Sequence, residues 1–213
     1  MALLAIDTTG SDCSVALRVA GQPDLCRSDP IGRGHAEYLA PMIARMLEEA
    51  GLKARQITRI GVMTGPGSFA GSRVGVAFAR GLAFAIDAQA VGIGNLAVLA
   101  QTARISGPLA VLHDAKRGDI ILQVWAGGIA TKPELLPVAG VATRIRELAG
   151  DTGHLAGSGA ALIDLPQFTD LALTTIDLPA LLDLAECADI AQAPPLPFYA
   201  RPPDAKLPGG RQP

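Results

Sequence analysis

Twice along this chain a succession of strand-like segments precedes a helical one, and a sequence that restarts in this way points to two similar lobes. In the first half, Leu3 to Asp7 is a short apolar run and Cys13 to Val19 alternates as a second strand. The Gly21-Gln22-Pro23 break then leads into a third strand at Leu25. From Gly34 to Ala50 the apolar spacing changes to a helical period, with Gly51 in the position that commonly stops a helix and Pro41 expected to kink it. Ile57 to Met63 reads as a buried strand, Gly65-Pro66-Gly67 as a turn and Gly71 to Ile86 as a helix. Val91 to Ile93 is another strand and Leu96 to Arg104 another helix.

Ser106-Gly107-Pro108 marks the boundary, so residues 1–104 form the first lobe and 105–193 the second. The second half restarts with strands at Leu109 to His113, Ile120 to Trp125 and near Leu135, and a helix from Ala142 to Ala149. A strand at His154 to Ala156, the Gly157-Ser158-Gly159 turn and a helix from Pro179 to Ala191 follow. No residue-level repeat accompanies the duplicated order. Residues 194–213 form a proline-rich tail, expected to be extended and disordered over its final few residues.

Composition narrows the functional classes. The chain is 49% hydrophobic with a formal net charge of −2, which excludes intrinsic disorder and argues against a broad basic surface for nucleic acid. No uninterrupted apolar run reaches the roughly 18 residues of a membrane span; Gly81 to Ile86 is bounded by Arg80 and Asp87. The amino-terminal residues read as a strand and not as a secretory signal, and the three cysteines Cys13, Cys26 and Cys187 form no C-x-x-C pair. A soluble, cytoplasmic α/β protein with structural thiols is expected.

Two turns could carry chemistry. Asp7, Thr8, Thr9 and Ser11 follow the first strand, where backbone N–H groups and hydroxyls can cradle an anion; the same residues also suit a turn that stabilises a hairpin. The segment GPGSFAGSRVG, Gly65 to Gly75, joins a strand to a helix through closely spaced glycines but lacks both nucleotide-binding fingerprints. Histidines 35, 113 and 154 have no partner ligand at helical spacing. Asp114, Lys116, Arg117 and Asp119 suit an anion site or a charged hairpin turn.

The two first-half helices carry the clearest pattern. On Gly34 to Ala50, apolar or semi-apolar residues span roughly 200° of the surface, where one core-facing stripe needs a little over 100°. On Gly71 to Ile86 only Arg73 and Arg80 interrupt an apolar or small surface. One side of each helix can cover a sheet. The other, with His35, Leu39, Met42 and Met46 on the first helix, can meet a partner, or the two helices can bury each other.

The opening AIDTTG…CSVAL, the GHAEYLAPMI helix, GPGSFAGSRVG, HDAKRGDI and the tail PFYARPPDAKLP together resemble the TsaB (YeaZ) family of bacterial tRNA-modification proteins, nearly end to end. The resemblance implies an actin-like ATPase (RNase H-like) α/β fold with two similar lobes. It also implies a relationship to TsaD, the catalytic subunit, whose relatives bind a metal through an H-x-E-G-H segment. Here GIGNLAVLA stands in that place, with Asn95 and Leu99 at the histidine positions. A non-catalytic subunit that requires no cofactor is therefore implied, supporting transfer of a threonylcarbamoyl group to N6 of adenosine 37 in tRNAs that read codons beginning with adenine. The implied partners are a TsaD-like subunit, a TsaE-like ATPase through the complex, a second copy when the partner is missing, tRNA only indirectly, and no membrane. The implied interface joins His35, Leu39, Met42 and Met46 to Gly71, Val74, Gly75, Phe78 and Leu82 of the second helix. Binding of ATP or ADP at Asp7, Thr8 and Thr9, as a vestigial phosphate loop, stays open, as does an independent ATPase, kinase or glycoprotease-like hydrolase using Asp7 and Asp114. The residues Gly209 to Pro213 extend past the family pattern and receive no role.

Overall fold

The computed structural model describes residues 2–201. Its elements follow the expected order closely: β1 Ala2–Asp7, β2 Cys13–Val19, β3 Leu25–Asp29, α1 His35–Glu49, β4 Ile57–Gly65, α2 Phe69–Ile86, β5 Gln89–Gly94 and α3 Asn95–Ala103 in the first half. The second half contains β6 Leu109–Asp114, β7 Asp119–Ala126, β8 Ile129–Ala130, β9 Glu134–Pro137, α4 Val138–Ala149, β10 Gly153–Ala156, β11 Phe168–Asp170 and α5 Leu178–Cys187.

The first sheet runs β3-β2-β1-β4-β5, antiparallel through β1, β2 and β3 and parallel through β1, β4 and β5. The second repeats the plan: β7 is antiparallel to β6 and pairs with β8 and β9, while β10 and β11 extend β6 in parallel. One helix follows the antiparallel strands in each half, α1 and α4. The two halves therefore share one strand plan, a two-lobed α/β arrangement.

Both faces of the first sheet are covered, which is why β1 is buried along its whole length and reads as a continuous apolar run. On one face, Leu39, Met42, Ile43 and Met46 of α1 and Val76 and Ala79 of α2 meet Leu4, Ile6, Val15 and Val62. On the other, Ala180, Leu181, Leu182 and Ala185 of α5 meet Leu3, Ala5, Ala16 and Met63. This corrects the boundary drawn from sequence. The helix expected to complete a lobe at 105–193 returns to the first sheet, and it stops at Cys187, short of Ala191. Full burial of a leucine such as Leu181 stabilises by about 1.5–3 kcal/mol, so α5 is a strong attachment. The second lobe keeps α4, whose Val141 and Ile145 pack on Ala110, Leu112 and Leu122. Between the lobes, Leu96 and Leu99 of α3 meet Leu109, Val111 and Ile121.

Further differences from the sequence reading are local. The three-residue β11 lies in a polar segment with no alternating pattern to reveal it, and β8 is only two residues long. Helix α1 runs continuously from His35 to Glu49 with Pro41 on its exposed side. Helix α2 starts at Phe69, capped by Ser68, whose Oγ accepts from Gly71 N–H. With 18 residues and a mean hydropathy of 1.3, α2 is long and apolar enough to cross a membrane by length and composition, whereas the sequence shows only a short uninterrupted apolar run, Gly81 to Ile86, between Arg80 and Asp87. Here it lies on β4 through Gly71, Ser72, Gly75, Val76, Ala79 and Ala83.

The segment after α5 crosses back over the carboxyl ends of β4 and β5. Gly92 N–H donates to Ala193 O, and Phe198 N–H donates to Thr64 O at 2.8 Å. A side chain at Gly92 would strike Pro194 O and Thr64. Of the tail assigned to residues 194–213, the part beyond Arg201, including Gly209 to Pro213, lies outside the described residues.

Candidate functional site

At the carboxyl end of β1, Asp7 is almost fully buried. Its Oδ1 accepts from Thr9 N–H at 2.8 Å and from Thr9 Oγ1–H at 2.6 Å. Burial raises its pKa above the ordinary carboxylate value, against the opposing pull of the two Thr9 bonds and the charge of His35. Thr9 Oγ1 accepts in turn from Asn95 Nδ2 at 2.6 Å, and Asn95 Oδ1 accepts from Gly65 N–H at 2.9 Å. Asn95, at the first turn of α3, therefore ties β1 to the end of β4. The sequence reading noted Asn95 only as a missing ligand. Its placement at the start of an otherwise apolar helix was the signal for this structural role.

The glycine-rich segment serves the same turn. Thr8 Oγ1–H donates to Gly71 O at 2.7 Å and Ser68 N–H donates to Thr9 O at 2.6 Å. A Cβ at Gly67 would lie 2.9 Å from Thr9 Cβ, and one at Gly71 or Gly75 would overlap Thr8. Glycines 67, 71 and 75 thus admit the β1–β2 turn against α2.

These contacts engage the side chains of the turn read as a phosphate loop. The Thr8 hydroxyl and both Thr9 donors bond inside the protein, while Asp7, Thr9 and Gly10 line a small cavity of about 210 Å³. The residues at the TsaD-type metal position do not suit a metal. Asn95 is held at both ends of its amide, Leu99 is buried, and the described residues contain no group of three His, Cys, Asp or Glu side chains able to hold a metal.

The expected partner face needs a larger correction. His35, Leu39, Met42 and Met46 are buried and lie on the sheet side of α1, where Leu39, Met42 and Met46 belong to the core cluster. Gly71 and Gly75 are buried against Thr8. Val74, Phe78 and Leu82 remain half-buried on the flank of α2. The exposed positions include residues not singled out from sequence: Ala77, Gly81, Ala85 and Phe84 on α2, the last 92% exposed, with Arg73 and Arg80 on the same helix, and Ala40, Pro41 and Ala44 on α1. Their signal was a run of small residues opposite the core stripe, which a count of large apolar side chains misses.

A cleft of about 1010 Å³ lies between the lobes, bounded by Phe69 and Arg73 of α2, His113 to Lys116 after β6, Ser158, and the tail from Phe198 to Arg201. Burial lowers the His113 pKa. The charged cluster expected between β6 and β7 is a hairpin turn: Lys116 pairs with Asp114 at 2.5 Å, which holds that carboxyl below its ordinary range. Arg201 donates to Ala115 O, Lys116 O and Asp119 Oδ2, the last at 2.6 Å. On the opposite wall, Arg73 Nε donates to Tyr199 Oη at 2.8 Å. The tail thereby straps one lobe to the other, which gives the Tyr-x-Arg element a physical purpose.

Among known proteins, the TsaD family model, tRNA N6-adenosine threonylcarbamoyltransferase, matches residues 30–141. The chain is 31% identical over 206 residues to the tRNA threonylcarbamoyladenosine biosynthesis protein TsaB of Haemophilus influenzae, covering 89% of this chain and 86% of that protein. It is also 31% identical over 208 residues to TsaB of Escherichia coli K12, covering 88% and 86%. To the tRNA N6-adenosine threonylcarbamoyltransferase of Novosphingobium aromaticivorans it is 31% identical over 159 residues, 70% of this chain but 42% of that one. A Pseudomonas aeruginosa crystal structure described as similar to peptidase YEAZ superposes with a TM-score of 0.76 at 30% identity, over 94% of this chain and 99% of that one. A second, YeaZ from Pseudomonas aeruginosa, superposes with 0.71 at 27% identity over 93% and 99%. Full-length likeness in sequence and fold has one reading: the chain belongs to the TsaB (YeaZ) family.

Proposed function

We propose that this chain is a non-catalytic subunit in the formation of threonylcarbamoyladenosine in tRNA, and that the outer face of α1 and α2 docks a TsaD-like catalytic subunit. The observation that carries this reading is the apolar face of α2, where Ala77, Gly81, Phe84 and Ala85 point away from the core with Phe84 92% exposed. Exposed apolar surface of this kind marks an interaction site. Small residues let a facing helix approach closely, and Phe84 supplies an aromatic anchor. The occupant follows from the likeness of this chain to a transferase over 70% of its length. A partner built on the same lobe carries equivalent helices, and two such pairs can meet face to face. A second copy of this chain would use the same surface when the partner is missing. The partner would hold the metal, tRNA and the TsaE-like ATPase, which places the work in the cytoplasm and keeps tRNA contact indirect.

The competing reading, an independent ATPase, kinase or glycoprotease-like hydrolase, would rest on Asp7 and Asp114. Asp7 is already bonded to Thr9, and Asp114 to Lys116. Neither acid stands as an unengaged general base.

Co-purification tests the docking face. Phe84→Asp and Gly81→Glu are expected to abolish capture of the TsaD-like protein while changing the melting temperature by no more than a few degrees, because both positions are exposed. Undiminished capture by both variants would remove this face as the interface. ATP turnover by the isolated chain near ordinary enzyme rates, abolished by Asp7→Ala, would restore the enzyme reading.

A further inference from the structure

Between β6 and β7 the backbone takes a route that its residues do not favour. Lys116, Arg117 and Gly118 have φ of 60°, 59° and 81°, three successive left-handed residues of which only the last is glycine. The other non-glycine residues with positive φ among those described, Asp87, Arg104 and Ala172, occur singly, the first two at helix ends. Left-handed backbone crowds the Cβ of an L-residue against the following carbonyl oxygen, and the side chains that tolerate it are those of asparagine and aspartate, not lysine or arginine. Asp119 N–H closes the turn by donating to Lys116 O at 3.2 Å. A hairpin turn with positive φ at both central residues ordinarily carries asparagine–glycine there, where this chain has Arg117 and Gly118.

The Arg201 guanidinium lies across this turn. Nη1 donates to Ala115 O at 3.1 Å, and Nη2 to Lys116 O at 3.2 Å and Asp119 Oδ2 at 2.6 Å, so one planar fork holds both ends of the hairpin. Three residues upstream the tail is anchored on the other lobe. Phe198 N–H donates to Thr64 O at 2.8 Å, its ring packs on the cluster of Leu96 and Leu99, and Tyr199 Oη accepts from Arg73 Nε at 2.8 Å. The two anchors are unequal. Phe198 is held by a backbone bond and apolar packing, whereas Arg201 and Asp119 are each about a third exposed, where ion pairs contribute little. The contact that opposes the strained turn is the weaker one, so the tail gives way at Arg201 first.

We propose that Arg201 and the β6–β7 hairpin form a sprung latch: Arg201 holds residues 116–118 in the left-handed form, and its release lets the hairpin relax to a second conformation. Strain of this kind persists only where the surroundings impose it, and it is characteristic of elements with two states. Because Tyr199 grips Arg73 near the start of α2, the latch makes a hairpin of the second lobe sensitive to events on a helix of the first. It does not depend on the docking reading, because the isolated chain supplies every residue.

Amide exchange in the full-length chain, followed by NMR, tests the latch, with the β1 amides of Leu4 and Ala5 as the internal standard for global stability. The reporters are the hairpin's own bonds, Ala115 N–H to Asp119 O and Asp119 N–H to Lys116 O. Arg201→Ala should accelerate exchange at both about tenfold or more relative to the standard. Arg201→Lys, which keeps the charge but loses the fork, should accelerate it nearly as much. Adding Arg117→Asn to Arg201→Ala should return the hairpin to within about threefold of the parent, since asparagine–glycine favours the turn without an external hold. A contact that merely buttresses an unstrained turn would be lost with Arg201 and not restored by Arg117→Asn. Exchange within about twofold of the parent in Arg201→Ala, or no recovery in the double variant, would overturn the latch.

Discussion

Helix α5 reaches the first sheet at one point where two residues share space for a single methyl group. A Cβ built on Gly61 of β4 would overlap the Cβ of Ala185 while staying 3.7 Å from its Cα. Gly61→Ala should therefore cost about 2 kcal/mol as an overpacked contact. Ala185→Gly should cost a similar amount, about 1 kcal/mol in helix propensity and about 0.8 in lost methyl burial. Combined, the substitutions move the methyl from helix to strand and leave mainly the propensity cost of about 1 kcal/mol. The double variant should thus be more stable than the sum of the singles by about 3 kcal/mol. At a denaturant slope of about 2 kcal/mol/M, its urea midpoint should lie roughly 1.5 M above the additive value. Equilibrium urea unfolding followed by Trp125 fluorescence measures all four proteins. Additivity within about 0.5 kcal/mol would refute the shared-space argument and the seating of α5 on β4.

Asp7 gives a pH test: its folded pKa is raised, so the neutral acid is favoured in the native state and stability falls as pH rises from the ordinary carboxylate range through the raised value. Asp7→Asn, which keeps an oxygen for Thr9, should be the more stable protein at pH 7, with the advantage shrinking as pH approaches 4 in parallel thermal melts; a constant difference would oppose the burial argument. Arg201→Ala removes one anchor of the tail, and with Arg201 and Asp119 each about a third exposed the stability loss should stay near 1 kcal/mol. Amide exchange between residues 196 and 201 should nevertheless accelerate, and unchanged protection would show that Phe198 and Tyr199 suffice to hold the strap.

Much of the fold was legible because its strands are apolar runs followed within a few residues by glycine, as at Leu3 to Asp7 and Ile57 to Met63, and because the strand order repeats. The destination of α5 was not. Its apolar stripe fits either sheet, and partners distant in sequence select the first: the gap left by Gly61 and the pairing of Arg18 with Asp183 and Glu186. The site was legible in its residues more than in its direction. Asp7, Thr8, Thr9 and the Gly65 to Gly75 segment were recognised as one turn chemistry, yet the glycines face the protein's own threonines instead of an anion. The docking face failed for a related reason. His35, Leu39, Met42 and Met46 attract attention by size, and size is what the core uses. Alanine and glycine at 77, 81 and 85 carry little hydropathy signal, although they make the outward surface.

Because Ala180, Leu181 and Leu182 close a face of the sheet that begins at Ala2, the first lobe remains unfinished until synthesis has passed Cys187. Ribosomes add about 5–20 residues per second, so β1 waits on the order of ten seconds or more for its last covering helix. During that interval Leu3, Ala5 and Met63 face solvent or a chaperone. A fragment ending near residue 104 would be left permanently in that state, an aggregation-prone half-sheet and not a small stable lobe.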